Sequence, residues 1–116
     1  MRRERLPAVY IMASGFHGTI YVGVTSDLIG RVWQHRNGSF RGFTDRHGCK
    51  RLVWFEAGDD MAGAIAREKQ LKNWLREWKL ALIENENPTW RDLAEDFGFD
   101  PLLKTPGADA AKTGDA

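Results

Sequence analysis

Two short runs rich in β-branched and aromatic residues, Ala8-Val9-Tyr10-Ile11-Met12-Ala13 and Thr19-Ile20-Tyr21-Val22-Gly23-Val24, flank the loop Ser14-Gly15-Phe16-His17-Gly18. Runs of that composition around a short glycine-containing loop predict an antiparallel β-hairpin. Arg51 to Ala57 (Arg-Leu-Val-Trp-Phe-Glu-Ala) reads as a third strand. Thr25-Ser26-Asp27 gathers N-cap residues ahead of a helical stretch that reaches Asn37 and is stopped by Gly38. Gly58-Asp59-Asp60 caps a helical region from Met61 to about Glu86, closed by Asn87-Pro88, with a bend or break expected near Lys72-Asn73. Thr89-Trp90-Arg91-Asp92 has the form of a capping box for a short helix that Gly98 closes. The order β-β-α-β-α-α predicts a small α+β domain, with helices flanking a three-stranded antiparallel sheet.

A length of 116 residues leaves room for one domain. Residues 1–7 read as an N-terminal arm, 8–97 as the domain, and 98–116 as a tail that is disordered from about 104, where large apolar residues run out. The 42% apolar and 28% charged composition is that of a globular chain and argues against general disorder. No uncharged stretch is apolar enough to cross a membrane, and no clean apolar region and cleavage site follow the charged start, so the cytoplasm is the expected compartment. The single cysteine, Cys49, excludes an internal disulfide and a cysteine-based metal cage, and reads as a small buried filler. The net charge of +1 divides into +5 for residues 1–58 and −4 for residues 59–116. A basic half suits a polyanionic partner on one face, although ordinary solvated surface produces the same excess.

Three features sit where burial alone would not place them. On a helical wheel Met61, Ala64, Ile65, Leu71, Leu75 and Leu82 form one apolar stripe, with Glu68 in its middle. Desolvating a carboxylate is costly, so Glu68 must meet a lysine, an arginine or a metal ion, and the helix alone favours a structural salt bridge. On the first helix Leu28, Ile29, Val32 and Trp33 make the apolar side, while Arg31 and His35 are four apart and share a face beside Leu28. An arginine with a histidine there reads as a phosphate grip with a proton-handling neighbour, against the plainer reading of a solvated flank. Tyr10 and Tyr21 stand on the two hairpin strands, and in a tight hairpin their hydroxyls emerge on one face.

Taken together these residues form a known pattern. Ala8-Val9-Tyr10 followed after ten residues by Tyr21-Val22-Gly23 resembles the paired triplets that name the GIY-YIG nuclease superfamily. Val24 to Arg36, with Arg31 on the helix and His35 one turn on, resembles its next motif. Arg67-Glu68-Lys69-Gln70-Leu71-Lys72-Asn73-Trp74 resembles the motif that carries its metal-binding glutamate. The segment Trp78 to Glu84, with Asn87-Pro88 and Trp90, is similar to the end of the small stand-alone bacterial members, so the likeness runs from about Ala8 to Leu93.

The resemblance implies a Mg²⁺-dependent endonuclease, with Mn²⁺ as a substitute, that hydrolyses phosphodiester bonds in DNA, RNA being the alternative substrate. Arg31 would bind the scissile phosphate, Glu68 would hold one divalent ion, and Tyr10 would act near the attacking water as base or positioner. His35 is the other candidate proton acceptor, since its ordinary pKa of about 6.5 suits the task better than a tyrosine near 10. Tyr21 would hydrogen-bond the phosphate or the hydrated metal, and Gly23 would permit close approach of strand and substrate. Ala8 and Val22 depart mildly from the family triplets. Gly30 stands inside the helix where a second basic residue would be unsurprising, and Asn85 and Asn87 are candidate matches for the late asparagine that often supports the family's site, although both read better as helix-end caps.

Between Arg36 and Arg51 the chain interleaves basic and aromatic residues, and Arg36, Arg41, Phe43, Arg46, His47 and Lys50 are the candidate nucleic-acid contacts. A single small domain suits shape recognition of branched, flapped, single-stranded or damaged DNA, as in repair or recombination, by a monomer or weak homodimer. The net charge predicts affinity near the nonspecific range of about 10⁻⁴–10⁻⁶ M. Two other readings use the same residues. One is a nucleic-acid-binding module that keeps the fold and cuts weakly or not at all. The other is a protein-interaction subunit of a repair complex, with exposed tryptophans, Trp74, Trp78 and Trp90 among them, as its sticky surface.

Overall fold

The computed structural model describes residues 6–37 and 47–102. The residues of the arm before 6, the candidates Arg41, Phe43 and Arg46, and the tail from 103 lie outside the described residues. Strands β1 (Ala8–Ala13), β2 (Ile20–Thr25) and β3 (Arg51–Ala57) form one antiparallel sheet in the order β2-β1-β3. Helices α1 (Leu28–Arg36), α2 (Met61–Lys72) and α3 (Arg76–Glu86) and a 3₁₀ helix (Leu93–Phe97) surround it, completing the α+β order expected from the sequence.

The central position of β1 explains its composition. All six of its residues are buried, and its side chains alternate between two cores. Val9, Ile11 and Ala13 meet Leu71 of α2, Ile83 of α3 and Trp90 on one face. Ala8, Tyr10 and Met12 meet Leu28 and Val32 of α1, Cys49 and Ala94 on the other. The α1 face is therefore the one that receives Tyr10. A bulge lies on the β1–β3 ladder, where Ile11 opposes Trp54 while Met12 opposes Leu52. The extra residue, Val53, lets Val53 and Trp54 enter the same core, breaking the alternation along β3.

The ends of the elements follow from local chemistry. Asp27 caps α1 by accepting from the Gly30 amide at 3.2 Å, and Asp60 caps α2 through the Gly63 amide at 2.9 Å. The long helical region breaks where expected, with Asn73 ending α2 and Leu75, in an extended conformation, beginning α3. That break corrects the apolar stripe. Leu75 is left 55% exposed at the junction, and Ile65 is also outside the core. Strand β2 begins at Ile20 and not Thr19, whose carbonyl instead closes the hairpin by accepting from the Ser14 amide at 2.9 Å. The last short helix is capped by Asp92, whose carboxylate accepts from the Ala94 amide at 3.1 Å, and not by Thr89. Gly98 ends it in the left-handed conformation.

Two assignments of tryptophans are overturned. Trp90 is fully buried, with its indole N–H donating to Glu84 at 2.9 Å, so it belongs to the core and not to a sticky surface. Trp33, expected on the apolar side of α1, is 58% exposed, because Leu28 and Val32 already fill the contact with the sheet. Among the described residues no helix is long and apolar enough to cross a membrane.

Candidate active site

The site grows from the pairing of Tyr10 with Gly23 across the β1–β2 ladder. A Cβ on Gly23 would stand 2.5 Å from the Tyr10 hydroxyl oxygen, 2.6 Å from its Cζ and 2.9 Å from Cε2 of Tyr21. The missing side chain thus lets the Tyr10 ring lie over the neighbouring strand. This corrects the expected role of Gly23, since the close approach it permits is made by the protein's own tyrosine. The rings of Tyr10 and Tyr21 have centroids 6.3 Å apart, and α1 brings the His35 ring to 5.7 Å from the first and 5.8 Å from the second.

The Tyr10 hydroxyl is 3.0 Å from Nε2 of His35. Both residues are buried, and burial acts on them in opposite senses because it disfavours whichever form is charged. Tyr10 is pushed up to about 12, chiefly by desolvation and then by Tyr21, against the lowering effect of a hydrogen bond from Arg31. His35 is pushed down to about 4, again chiefly by desolvation and then by the Arg31 charge. At neutral pH the pair is a neutral phenol against a neutral imidazole, and the phenol donates to Nε2 in the tautomer that carries the ring hydrogen on Nδ1. This corrects the expectation of a histidine near its ordinary value: in the resting site neither group is half-titrated near pH 7.

Arg31 reaches the phenol from α1, one turn before His35. Glu68 comes from α2 and is close enough for its charge to bear on Tyr10. Its side chain is 13% exposed, and its carboxylate pairs with the Lys72 ammonium at 2.6 Å. The sequence required a positive partner for this acid, and the partner is four residues on along the same helix. Five residues singled out from the sequence, Tyr10, Tyr21, Arg31, His35 and Glu68, are thus drawn together from β1, β2, α1 and α2.

Of the basic candidates, Arg36, His47 and Lys50 lie among the described residues. Arg36 ion-pairs with the buried Asp92, donates to the carbonyls of Lys50 at 3.2 Å and Asp100 at 3.0 Å, and lies over the Phe99 ring. The expectation that Arg36 faces nucleic acid is corrected accordingly: its guanidinium ties the end of α1 to the 3₁₀ segment. Lys50 donates to the Arg36 carbonyl at 3.3 Å, and His47 is exposed. Asn87 ends α3 as expected and does more, since its side-chain amide donates to the carbonyls of Val53 and Arg91. Sequence reasoning preferred the capping role over a match to the family's late asparagine, because its two partners are supplied by the fold.

A metal ion fits the carboxylate chemistry in one way. Among the described residues no group of three His, Cys, Asp or Glu side chains forms a cage. Glu68 is a single carboxylate with a cation already against it, which is the donor set of an ion that takes its remaining ligands from water and phosphate, as Mg²⁺ commonly does.

The chain matches a nuclease-type catalytic domain, a class that implies a nucleic-acid substrate. The family model of the GIY-YIG catalytic domain matches residues 6–81, and the chain belongs to that family. It is 35% identical over 66 residues to a UPF0213 protein of Haloquadratum walsbyi, covering 57% of this chain and 74% of that protein. A UPF0213 protein of Staphylococcus epidermidis is 32% identical over 76 residues, covering 66% of this chain and 92% of its own length. A third, from Clostridium perfringens, is 33% identical over 69 residues, covering 60% of this chain and 74% of its own. No solved structure matches the chain.

Proposed function

We propose that the protein is a Mg²⁺-dependent endonuclease that hydrolyses phosphodiester bonds in DNA, selecting shape over sequence, and that it works in the cytoplasm as a monomer or weak homodimer. The observation that carries this reading is the Tyr10–His35 hydrogen bond with Arg31 on the same phenol and the Glu68 charge within reach. Arg31 presents a planar fork of N–H donors that matches the non-bridging oxygens of a phosphodiester and offsets the charge that builds there.

Tyr10 is fully buried at rest, so this reading requires the attacking water to reach its oxygen beside Arg31. A phosphate on Arg31 also offsets the positive charge that depresses His35, which raises the basicity of Nε2 as substrate arrives. The attacking water then gives its proton to the Tyr10 oxygen while the phenol proton passes to Nε2 of His35. The oxygen of water forms the new bond to phosphorus, and the leaving oxygen departs with the old one and is protonated from solvent. Tyr21, beside both rings, hydrogen-bonds the phosphate. Glu68 would hold the Mg²⁺, whose contribution when bound is to neutralise charge on the phosphoryl group.

End-labelled single-stranded, duplex, flap and four-way-junction DNA, incubated with Mg²⁺ or EDTA, tests the reading. Wild type is expected to nick one or more of them only with the metal, and Glu68→Ala to leave all intact. Equal inertness of wild type and Glu68→Ala across the panel with Mg²⁺ and Mn²⁺ sinks the nuclease and leaves a binding module.

A further inference from the structure

At about 100° per residue, the exposed side of α1 spreads Asp27 and Arg31 on one flank, Gly30 and Gln34 in the middle, and Trp33 on the other flank. Together with Thr25 and Ser26 these residues line an open cleft of about 500 Å³. Trp33 leaves 58% of its surface to solvent there. Gly30 contributes only backbone to the cleft floor. A glycine weakens a helix of nine residues relative to alanine. At this position any side chain would stand between the indole on one flank and the guanidinium on the other.

We propose that Trp33 is a stacking platform for an unpaired nucleobase whose adjoining phosphate lies on Arg31, so that the substrate carries a single-stranded or extruded nucleotide beside the bond that is cut. The proposal deepens the nuclease reading and rests on its assignment of Arg31 to phosphate. A base inside a duplex offers proteins only its groove edges, because both of its faces are taken by neighbouring bases. Only an unstacked base has a face to lay on an indole, and every base has one, so recognition of this kind reads strandedness and tolerates sequence. The rest of the lining suits a base better than an apolar protein partner. Ser26 and Gln34 add a hydroxyl and an amide to the same lining that can meet base edges, whereas a protein hot spot sets its tryptophan among apolar neighbours.

The test measures binding by fluorescence anisotropy in EDTA at low salt, with three probes: a thymidine 12-mer, a 12-mer of the same backbone with every base removed, and a 12-base-pair duplex. Wild type is expected to prefer the thymidine strand over the abasic strand by roughly 5- to 150-fold, the range that one stacked base carries. Trp33→Ala should lose that preference and Trp33→Phe should keep most of it, with duplex affinity within about twofold in both. Because Trp33 is exposed, both variants should melt with wild type. A Trp33→Ala protein that keeps the preference overturns the proposal, as does a wild type that binds the two strands equally or not at all. Cleavage with Mg²⁺ is scored separately. A chain that cuts nothing and still shows the Trp33-dependent preference retains the platform and loses the nuclease, while Glu68-dependent cutting with no such preference does the reverse.

Discussion

The Tyr10 hydroxyl lies 3.0 Å from Nε2 of His35, joining the centre of the sheet to the first helix inside the protein. Neither partner is poised near neutrality alone, with Tyr10 pushed up to about 12 and His35 down to about 4. The pair can therefore move a proton only as a relay in which the phenol gains one as it gives one up. Tyr10→Phe removes the relay and keeps the ring. It should lower the single-turnover cleavage rate by about 10²–10⁴, the usual worth of a positioned acid–base group. The lost hydrogen bond should cost about 1 kcal/mol of stability in urea unfolding. Cleavage within threefold of wild type would assign the proton to another group.

The same burial makes stability depend on pH. An unfolded chain takes up the His35 proton near 6.5, the folded chain only near 4. Between those values the unfolded state binds more protons, so stability rises with pH across the window. The contribution is fully present above about 6.5 and is lost as the pH falls toward about 4, amounting to about 1–3 kcal/mol. Urea unfolding of wild type and His35→Gln at a series of pH values isolates it, because the carboxylates titrate in both proteins. The difference in stability between the two should shrink as the pH is lowered. A constant difference would place the His35 ring in contact with water.

Gly23 offers a separate check on how the tyrosine is seated. A methyl group there would press on the Tyr10 hydroxyl and Cζ and on the Tyr21 ring, at 2.5–2.9 Å. Gly23→Ala should destabilise the domain by about 1–3 kcal/mol, the cost of overpacking a filled core. That cost should fall when Tyr10 is replaced by leucine, which has no atoms at the clash. Equal costs in the two backgrounds would locate the strain in the backbone.

Much of this was legible in the sequence because the signals are local. Asp27 and Asp60 announce their helices, Asn73 marks a break, and Val9-Tyr10-Ile11 belongs to a strand in any register. The site residues were legible as types and spacings, and Lys72 stands at the i+4 spacing that pairs with Glu68. The missing parts depend on distant partners. Nothing near Trp90 in sequence says that the α2–α3 face of the sheet will cover it, and nothing near Arg36 says that Asp92, 56 residues on, will claim its guanidinium. The depressed His35 was likewise out of reach, since desolvation is a property of the packed core and not of the motif.

Arg31 and Arg36 are five residues apart on one helix, yet their surroundings separate their roles. Arg36 is held by the buried Asp92 and two carbonyls, while Arg31 lines an open cleft. Arg36→Ala leaves the Asp92 carboxylate without its cation and should cost about 3–5 kcal/mol in unfolding. It should leave the salt dependence of DNA binding unchanged. Arg31→Ala should lower the slope of log affinity against log salt by about 0.7–0.9, the share of one phosphate contact. A change in slope on replacing Arg36 would return it to the nucleic-acid surface.

The Glu68–Lys72 pair sets the terms on which a metal ion enters. The carboxylate is largely covered and held in place by α2, whereas half of the Lys72 side chain is exposed and can swing away into water. Exposed helix pairs of this spacing are worth about 0.3–0.5 kcal/mol, so the ammonium competes with a divalent ion only weakly. Lys72→Met should therefore lower the Mg²⁺ concentration for half-maximal cleavage by about twofold, the factor that such an energy represents. Glu68→Gln, which keeps the shape and removes the charge, should abolish activation at any Mg²⁺ concentration. An unchanged or raised Mg²⁺ requirement in Lys72→Met would show that the ammonium and the metal do not share the carboxylate, and Glu68 would then be a structural acid held by its own helix.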